Sequence, residues 1–264
     1  MHAFQYHRPS SLKDATATGA KDEAKYLAGG QSLVQAMKLR LAAPTDLIDL
    51  SSLKELSGIK VSGSAVEIGA MTRHAEVAAS AEVKEAIPAL ASLAGMIGDR
   101  QVRHMGTIGG SLANNDPAAD YPAAVLGLGA TITTNKRKIE GDKFFKGLYE
   151  TALEPGELIT SVSFPVPKRA AYMKFKNPAS RFAIVGVFVA DFGGSARVGV
   201  TGAGPSAFRQ ADMEKALAAK FAPDSVANVK VRADGLNTDL HASAEYRAHL
   251  VTVMARRAVE AALS

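Results

Sequence analysis

Cysteine is absent from all 264 residues. That excludes disulfides, thiolate catalysis and cysteine-ligated iron–sulfur clusters within this chain. No run of about 18 apolar residues is present to span a bilayer. The opening Met1-His-Ala-Phe-Gln-Tyr6 lacks the charged and apolar regions of a secretory signal, so a soluble, cytoplasmic protein is the expectation. No His-Glu-x-x-His or other metal-ligand spacing occurs. The dispersed His2, His7, His74, His104, His241 and His249 read as surface or satisfied structural residues. No Gly-x-Ser-x-Gly elbow marks a nucleophile, though a Ser-His-Asp triad stays open. A strand-linked Gly-x-Gly-x-x-Gly is missing too. Gly202-Ala-Gly-Pro205 breaks that pattern with Pro and reads as a strand-ending turn. There are no repeats and no low-complexity tract.

What remains is ordinary globular composition, 47% hydrophobic and 22% charged, with a net charge of +5. The chain is long enough to bury a full core in two or three domains. The aromatic-plus-basic pattern of a nucleic-acid-binding sheet is absent. Lys136-Arg137-Lys138 reads as a solvated loop. A phosphate-bearing cofactor accounts for the basic balance as well as nucleic acid would.

Two segments stand out, Ala28-Gly29-Gly30-Gln31-Ser32-Leu33 and Thr107-Ile108-Gly109-Gly110-Ser111. Each reads as a diglycine turn followed by Ser and an apolar run. Glycine pairs adopt backbone angles closed to other residues and let a ligand approach the main chain. Ser32 reads as a helix N-cap, with Gln35 completing a capping box. A helix starting there would turn free N–H groups toward a phosphate. A pair of such turns suggests a ligand with two phosphates.

Short strands and helices alternate along the chain. Strands are expected at 25–28, 47–50, 66–69, 130–134 and 158–164. Helices are expected at 33–41, from a Thr72 cap toward Ala79, in two segments punctuated by Ser80 and Pro88, and at 117–126. Phe164-Pro-Val-Pro-Lys-Arg169 opposes both helix and central strand and marks a domain boundary. Beyond it, strands are expected at 172–176, 184–192 and 196–201, the last two joined at Gly193-Gly194. Two helices follow. The last spans about 244–262, with Tyr246, Leu250, Val253, Met254 and Ala258 on one face. Three strands and two helices predict an α+β layer.

The two glycine segments resemble the paired FAD-binding motifs of the flavoprotein (medium) subunit of molybdenum hydroxylases, the carbon monoxide and xanthine dehydrogenase relatives. Ala28 to Arg40, Leu47-Ile-Asp-Leu50, Leu53-Lys-Glu-Leu56, Ile68 to Glu76 and Thr107 to Pro122 follow that family's order. Gly202 to Arg209 and Asp239 to Leu250 resemble its C-terminal domain. The resemblance implies an α+β chain. A two-part FAD-binding α/β domain of the PCMH/vanillyl-alcohol-oxidase-like type, residues 1–57 and 58–166, precedes a smaller α+β domain, residues 167–264, with a three-stranded sheet and helices.

It also implies residue roles. Ala28, Gly29, Gly30, Gln31, Ser32 and Leu33 would hold one phosphate. Thr107, Ile108, Gly109, Gly110 and Ser111 would approach the other phosphate or the ribityl chain. Asn114 and Asp120 are further polar candidates, and Asp120 could accept from a flavin N–H or ribityl hydroxyls. Asp116 reads as a helix N-cap before Pro117. Lys174 could approach the flavin ring, with a surface lysine as the alternative. Phe182 reads as a core aromatic, with packing near the ring as the alternative. The chain itself would supply no catalytic acid, base or nucleophile. A large subunit with the molybdenum cofactor would oxidise the substrate, and a small subunit's iron–sulfur clusters would pass electrons to FAD here. A dimer of such heterotrimers is the expected assembly. A self-contained FAD-dependent oxidoreductase of the same fold is the alternative.

Overall fold

The computed structural model describes residues 1–264. Its first sheet is parallel. The strands β1 (Gln5–His7), β2 (Lys25–Leu27) and β3 (Asp46–Asp49) lie in the order β1-β3-β2, linked by helices α1 (Leu12–Gly19) and α2 (Leu33–Lys38). Ser11 caps α1, its hydroxyl accepting from Asp14 N at 3.1 Å. A small core of Ala15, Ile48, Leu50, Leu53, Leu56 and Leu158 lies under this sheet.

The second sheet is antiparallel. It is built from β4 (Ile59–Ser62), β5 (Ala65–Gly69), β6 (Thr131–Thr134), β7 (Lys138–Glu140) and, returning last, the central β10 (Ile159–Pro165). Alternation puts Val66, Ile68, Ile132, Val162 and Phe164 inward. Between β5 and β6 run α3 (His74–Ala79), α4 (Ala81–Ala86), α5 (Pro88–Gly95), α6 (Arg100–Met105), α7 (Ile108–Asn114) and α8 (Tyr121–Leu128). Ser80 and Pro88 start α4 and α5 as their sequence predicts. A one-turn helix α9 (Gly141–Phe144) and a hairpin of β8 (Phe145–Gly147) and β9 (Glu150–Thr151) precede β10.

The third sheet runs β11 (Arg169–Lys176), β12 (Ala183–Asp191), β13 (Ala196–Thr201) and β14 (Phe208–Arg209). Helices α10 (Ala211–Ala219), α11 (Pro223–Ala227) and α12 (Ala244–Leu263) follow. Every residue of β12 is buried. Its Phe188 and Ala190 join the core of the second sheet, while Val185, Val187 and Val189 join the core under α12. One strand thus ties two cores together. The approach of α8 to β13 needs Gly199, where a Cβ would lie 2.2 Å from Ala123 O.

The structure departs from the sequence expectations at several points. The third sheet has four strands, and three helices follow it. α12 buries Arg247, Leu250, Val251, Met254, Ala255, Ala258 and Val259, so Tyr246, 43% exposed, lies off the buried face. Thr72 caps no helix, because its hydroxyl bonds both Gly58 N and Gly58 O. α6 carries no sequence signal, because none of its residues is buried and no apolar period marks it. The segment predicted as one helix from 117 is a turn, with helix only from Tyr121. Arg137 is not merely solvated. It bonds the buried Glu157 carboxylate, with Nη2 to Oε2 at 3.0 Å. No helix is long and apolar enough to cross a membrane.

Candidate functional site

The first glycine segment is the loop from β2 to α2. Gly29 lets two segments touch, because a Cβ there would lie 2.0 Å from Met105 O. Gly30 sits at φ +72, in the left-handed region that favours glycine. Helical turning already starts there, Val34 N donating to Gly30 O at 3.2 Å. Ser32 therefore has helical angles and its hydroxyl caps nothing, so the expected capping box does not form. The backbone N–H groups from Ala28 through Leu33 donate to no protein acceptor. Six consecutive unpaired donors in one loop are a strong match for an anion with many oxygens.

The second segment is built differently. It is not a turn but the start of α7, capped by Thr107, whose Oγ1 accepts from Gly110 N at 3.2 Å. It is stitched to the stretch after β5. His74 N donates to Gly106 O at 3.0 Å, Ile108 N to Thr72 O at 3.2 Å and Gly109 N to Ala70 O at 2.8 Å. Ser111 N donates to Thr107 O at 3.0 Å. The amides of Gly109, Gly110 and Ser111 are thus already used, and only the Thr107 N–H stays free. What this segment offers a ligand is the Ser111 hydroxyl, the Asn114 amide and the Thr107 N–H. Ile108 is fully buried, and a Cβ at Gly109 would lie 2.6 Å from that of Ala70. These two residues shape the segment from behind.

Both segments face one cleft of about 990 Å³, at the upper end of small-molecule sites. Ala28 to Leu33, Thr107, Gly110, Ser111, Asn114 and Asp120 line it; Ile108, Gly109 and Lys174 do not. Residues Ser180, Arg181 and Phe182 reach it from the third sheet. Phe182 is 48% exposed there and is not a core aromatic. Lys21, Lys25 and Arg181 face six carboxylates in the lining, Asp22, Glu23, Asp116, Asp120, Glu154 and Glu157. A phosphate-bearing ligand in the cleft therefore does not explain the chain's basic balance; any anion here would meet backbone N–H groups rather than side-chain cations.

The acids are mostly committed. Asp116 Oδ1 accepts from Ala118 N at 2.9 Å, capping a turn in place of the expected helix. Burial alone would raise Glu157, but Arg137, Glu154 N and the Thr134 hydroxyl outweigh it and hold the carboxyl at about 2. Asp120 is 4% exposed. It accepts from the Tyr172 hydroxyl at 2.5 Å and from Lys174 Nζ at 2.9 Å. Burial raises its carboxyl above the usual range, offset in part by Lys174 and Tyr172. Lys174 is not a surface lysine: its buried ammonium pairs with Asp120. His74, expected as a surface or satisfied structural residue, instead lines the cleft with Nδ1 unpartnered. Burial, aided by the Arg103 charge, pushes its imidazole down to about 4.

The loop of free amides and the hydroxyl-bearing start of α7 thus meet across one cleft of cofactor size. Residues 2–167 match the family of the FAD binding domain in molybdopterin dehydrogenase. The chain belongs to this family. Its relatives include the carbon monoxide dehydrogenase medium chain of Afipia carboxidovorans, 37% identical over 98% of this chain and 96% of that one. The nicotine 6-hydroxylase medium subunit of Paenarthrobacter nicotinovorans is 35% identical over 97% and 96%. Among solved structures, quinoline 2-oxidoreductase from Pseudomonas putida 86 superposes with a TM-score of 0.90 at 29% identity, covering 98% of this chain and 96% of that one. This is a flavoprotein medium subunit of the molybdenum hydroxylase type, an oxidoreductase component of a multi-subunit enzyme. The expected fold class and family are borne out.

Proposed function

We propose that this chain holds one FAD non-covalently across the cleft and passes electrons from a partner's iron–sulfur clusters to an external acceptor. The six unpaired N–H groups of Ala28 to Leu33 carry this reading. They would hold the pyrophosphate, with Thr107, Ser111 and Asn114 completing the cradle from α7. When bound, FAD supplies the redox chemistry, exchanging single electrons with clusters and pairs with an acceptor. The chain's own residues bind, orient and shield. Gly30 and Gly110 keep side chains off the loops, and Phe182 screens the open side. Asp120, fixed by Lys174 and Tyr172, offers an anchored acceptor at the wall.

The molybdenum cofactor is proposed on a large subunit and the clusters on a small one, in a dimer of heterotrimers, with the cytoplasm as compartment. We also propose three domains, residues 1–57, 58–166 and 167–264, in keeping with the three main sheets. Titration of the purified chain with FAD and with FMN tests the cofactor reading. FAD should bind tightly and leave the protein on acid precipitation. Equal affinity for FMN would sink the pyrophosphate argument.

A further inference from the structure

His74 is the first residue of α3 and is 4% exposed. Its Nδ1 is sealed from solvent and has no hydrogen-bond partner. The ring lines the cleft, so the edge that reaches the cleft is the Nε2 edge. The ring is wedged in place. Tyr121 lies on one side, centroids 5.4 Å apart and tilted 48°. On another side is Gly106, where a Cβ would fall 2.6 Å from Nε2. Gly106 has φ −63 and ψ 143, angles open to any residue. Space for the imidazole, not backbone conformation, is what calls for glycine there.

A structural histidine bonds at least one ring nitrogen. Here neither nitrogen has a protein partner, and a hydrocarbon ring would fill the same volume without the desolvation cost. An orphaned buried N–H is rarer than an under-satisfied acceptor. The proton therefore belongs on Nε2, with Nδ1 left as a bare lone pair. The low pKa of the ring agrees with a neutral imidazole. We infer that His74 is a positioning residue of the cofactor site, donating a hydrogen bond from Nε2–H to an acceptor atom of the bound FAD. This rests on the FAD reading above.

The test uses the whole chain as wild type, His74→Phe, His74→Gln and Gly106→Ala. Imidazole ¹⁵N spectra of the wild type should show the Nε2–H tautomer without FAD, and a shift of that signal on adding it. FAD titration should show about tenfold weaker binding for His74→Phe, the size of one lost hydrogen bond. His74→Gln places an amide NH₂ near the Nε2 position and should recover most of the loss. Gly106→Ala, which displaces the ring, should weaken FAD as His74→Phe does. An Nδ1–H tautomer, or FAD affinity in His74→Phe equal to wild type, overturns the inference while leaving the FAD reading intact. A wild type that does not bind FAD overturns both.

Discussion

Lys174 Nζ lies 2.9 Å from both carboxylate oxygens of Asp120, and the two side chains are only 2% and 4% exposed. The Tyr172 hydroxyl donates to the same carboxylate at 2.5 Å. Asp120 stands at the entrance to α8 and the other two residues on β11, so the triad joins the second and third sheets at the wall of the cleft. Lys174 also donates to Met96 O at 3.2 Å, which leaves its ammonium paired on two sides.

Removing one member of such a pair strands the other. Asp120→Ala should destabilise the apo-protein by about 3–5 kcal/mol, the usual cost of an orphaned buried charge. Asp120→Asn combined with Lys174→Met removes both charges and should recover most of the loss. Urea unfolding of the three proteins decides the matter. A wild-type midpoint for Asp120→Ala would mean that the pair is not what holds the sheets together.

The two glycines of the first loop should respond differently. Gly29→Ala puts a Cβ 2.0 Å from Met105 O, a backbone atom that cannot move aside. That variant should lose the fold or most of its stability. Gly30→Ala meets only Val34 and Leu27 side chains, at 3.0 and 3.4 Å, but sits at φ +72. It should cost about 1–2 kcal/mol of strain and weaken FAD binding. Thermal melts with and without FAD separate the two effects. Equal stability loss in both variants would contradict the split roles.

Much of this was legible in the residues. The strands expected at 66–69, 130–134, 158–164, 184–192 and 196–201 lie within a residue of their places, but β4, β7 and β14 were not expected and β11 begins three residues early; Ser80, Pro88 and Gly193-Gly194 punctuate the chain where expected. The two glycine segments were found, but not the difference between them. Whether Gly109 faces a ligand depends on Ala70, 39 positions earlier, and whether Gly29 does depends on Met105. Local sequence carries no record of such approaches. The same holds for Lys174, whose partner lies on another element, and for His74, whose importance rests on what does not bond it. Ser32 misled because the turn begins two residues earlier, at Gly30.

His74 also predicts a pH dependence. Its folded pKa is pushed down from 6.5 to about 4, so the folded protein stays neutral there while the unfolded chain takes up a proton near 6.5. Stability is therefore full above about pH 6.5 and is lost as pH falls toward 4. The whole shift corresponds to about 3 kcal/mol. Between pH 7 and 4.5, wild-type apo-protein should lose about 2–3 kcal/mol more than His74→Phe in urea unfolding. Parallel losses in the two proteins would show that His74 does not titrate between the states as its burial requires.

The isolated chain should not oxidise the substrate of the complex. It has no cysteine to hold a cluster, and no group of three or more His, Cys, Asp or Glu is placed to bind a metal ion. Of the acids lining the cleft that would hold FAD, the two buried ones are occupied with internal donors, Asp120 by Lys174 and Tyr172, Glu157 by Arg137 and Thr134. Neither of these two is left as a base poised over a substrate. On the proposed reading, electrons then arrive from a partner subunit. The FAD-loaded chain should still accept electrons from an artificial reductant and reduce a dye. Assays with aldehydes and N-heterocycles, with and without the partner subunits, provide the check. Substrate oxidation by the chain alone at the rate of the complex would favour a self-contained flavoenzyme.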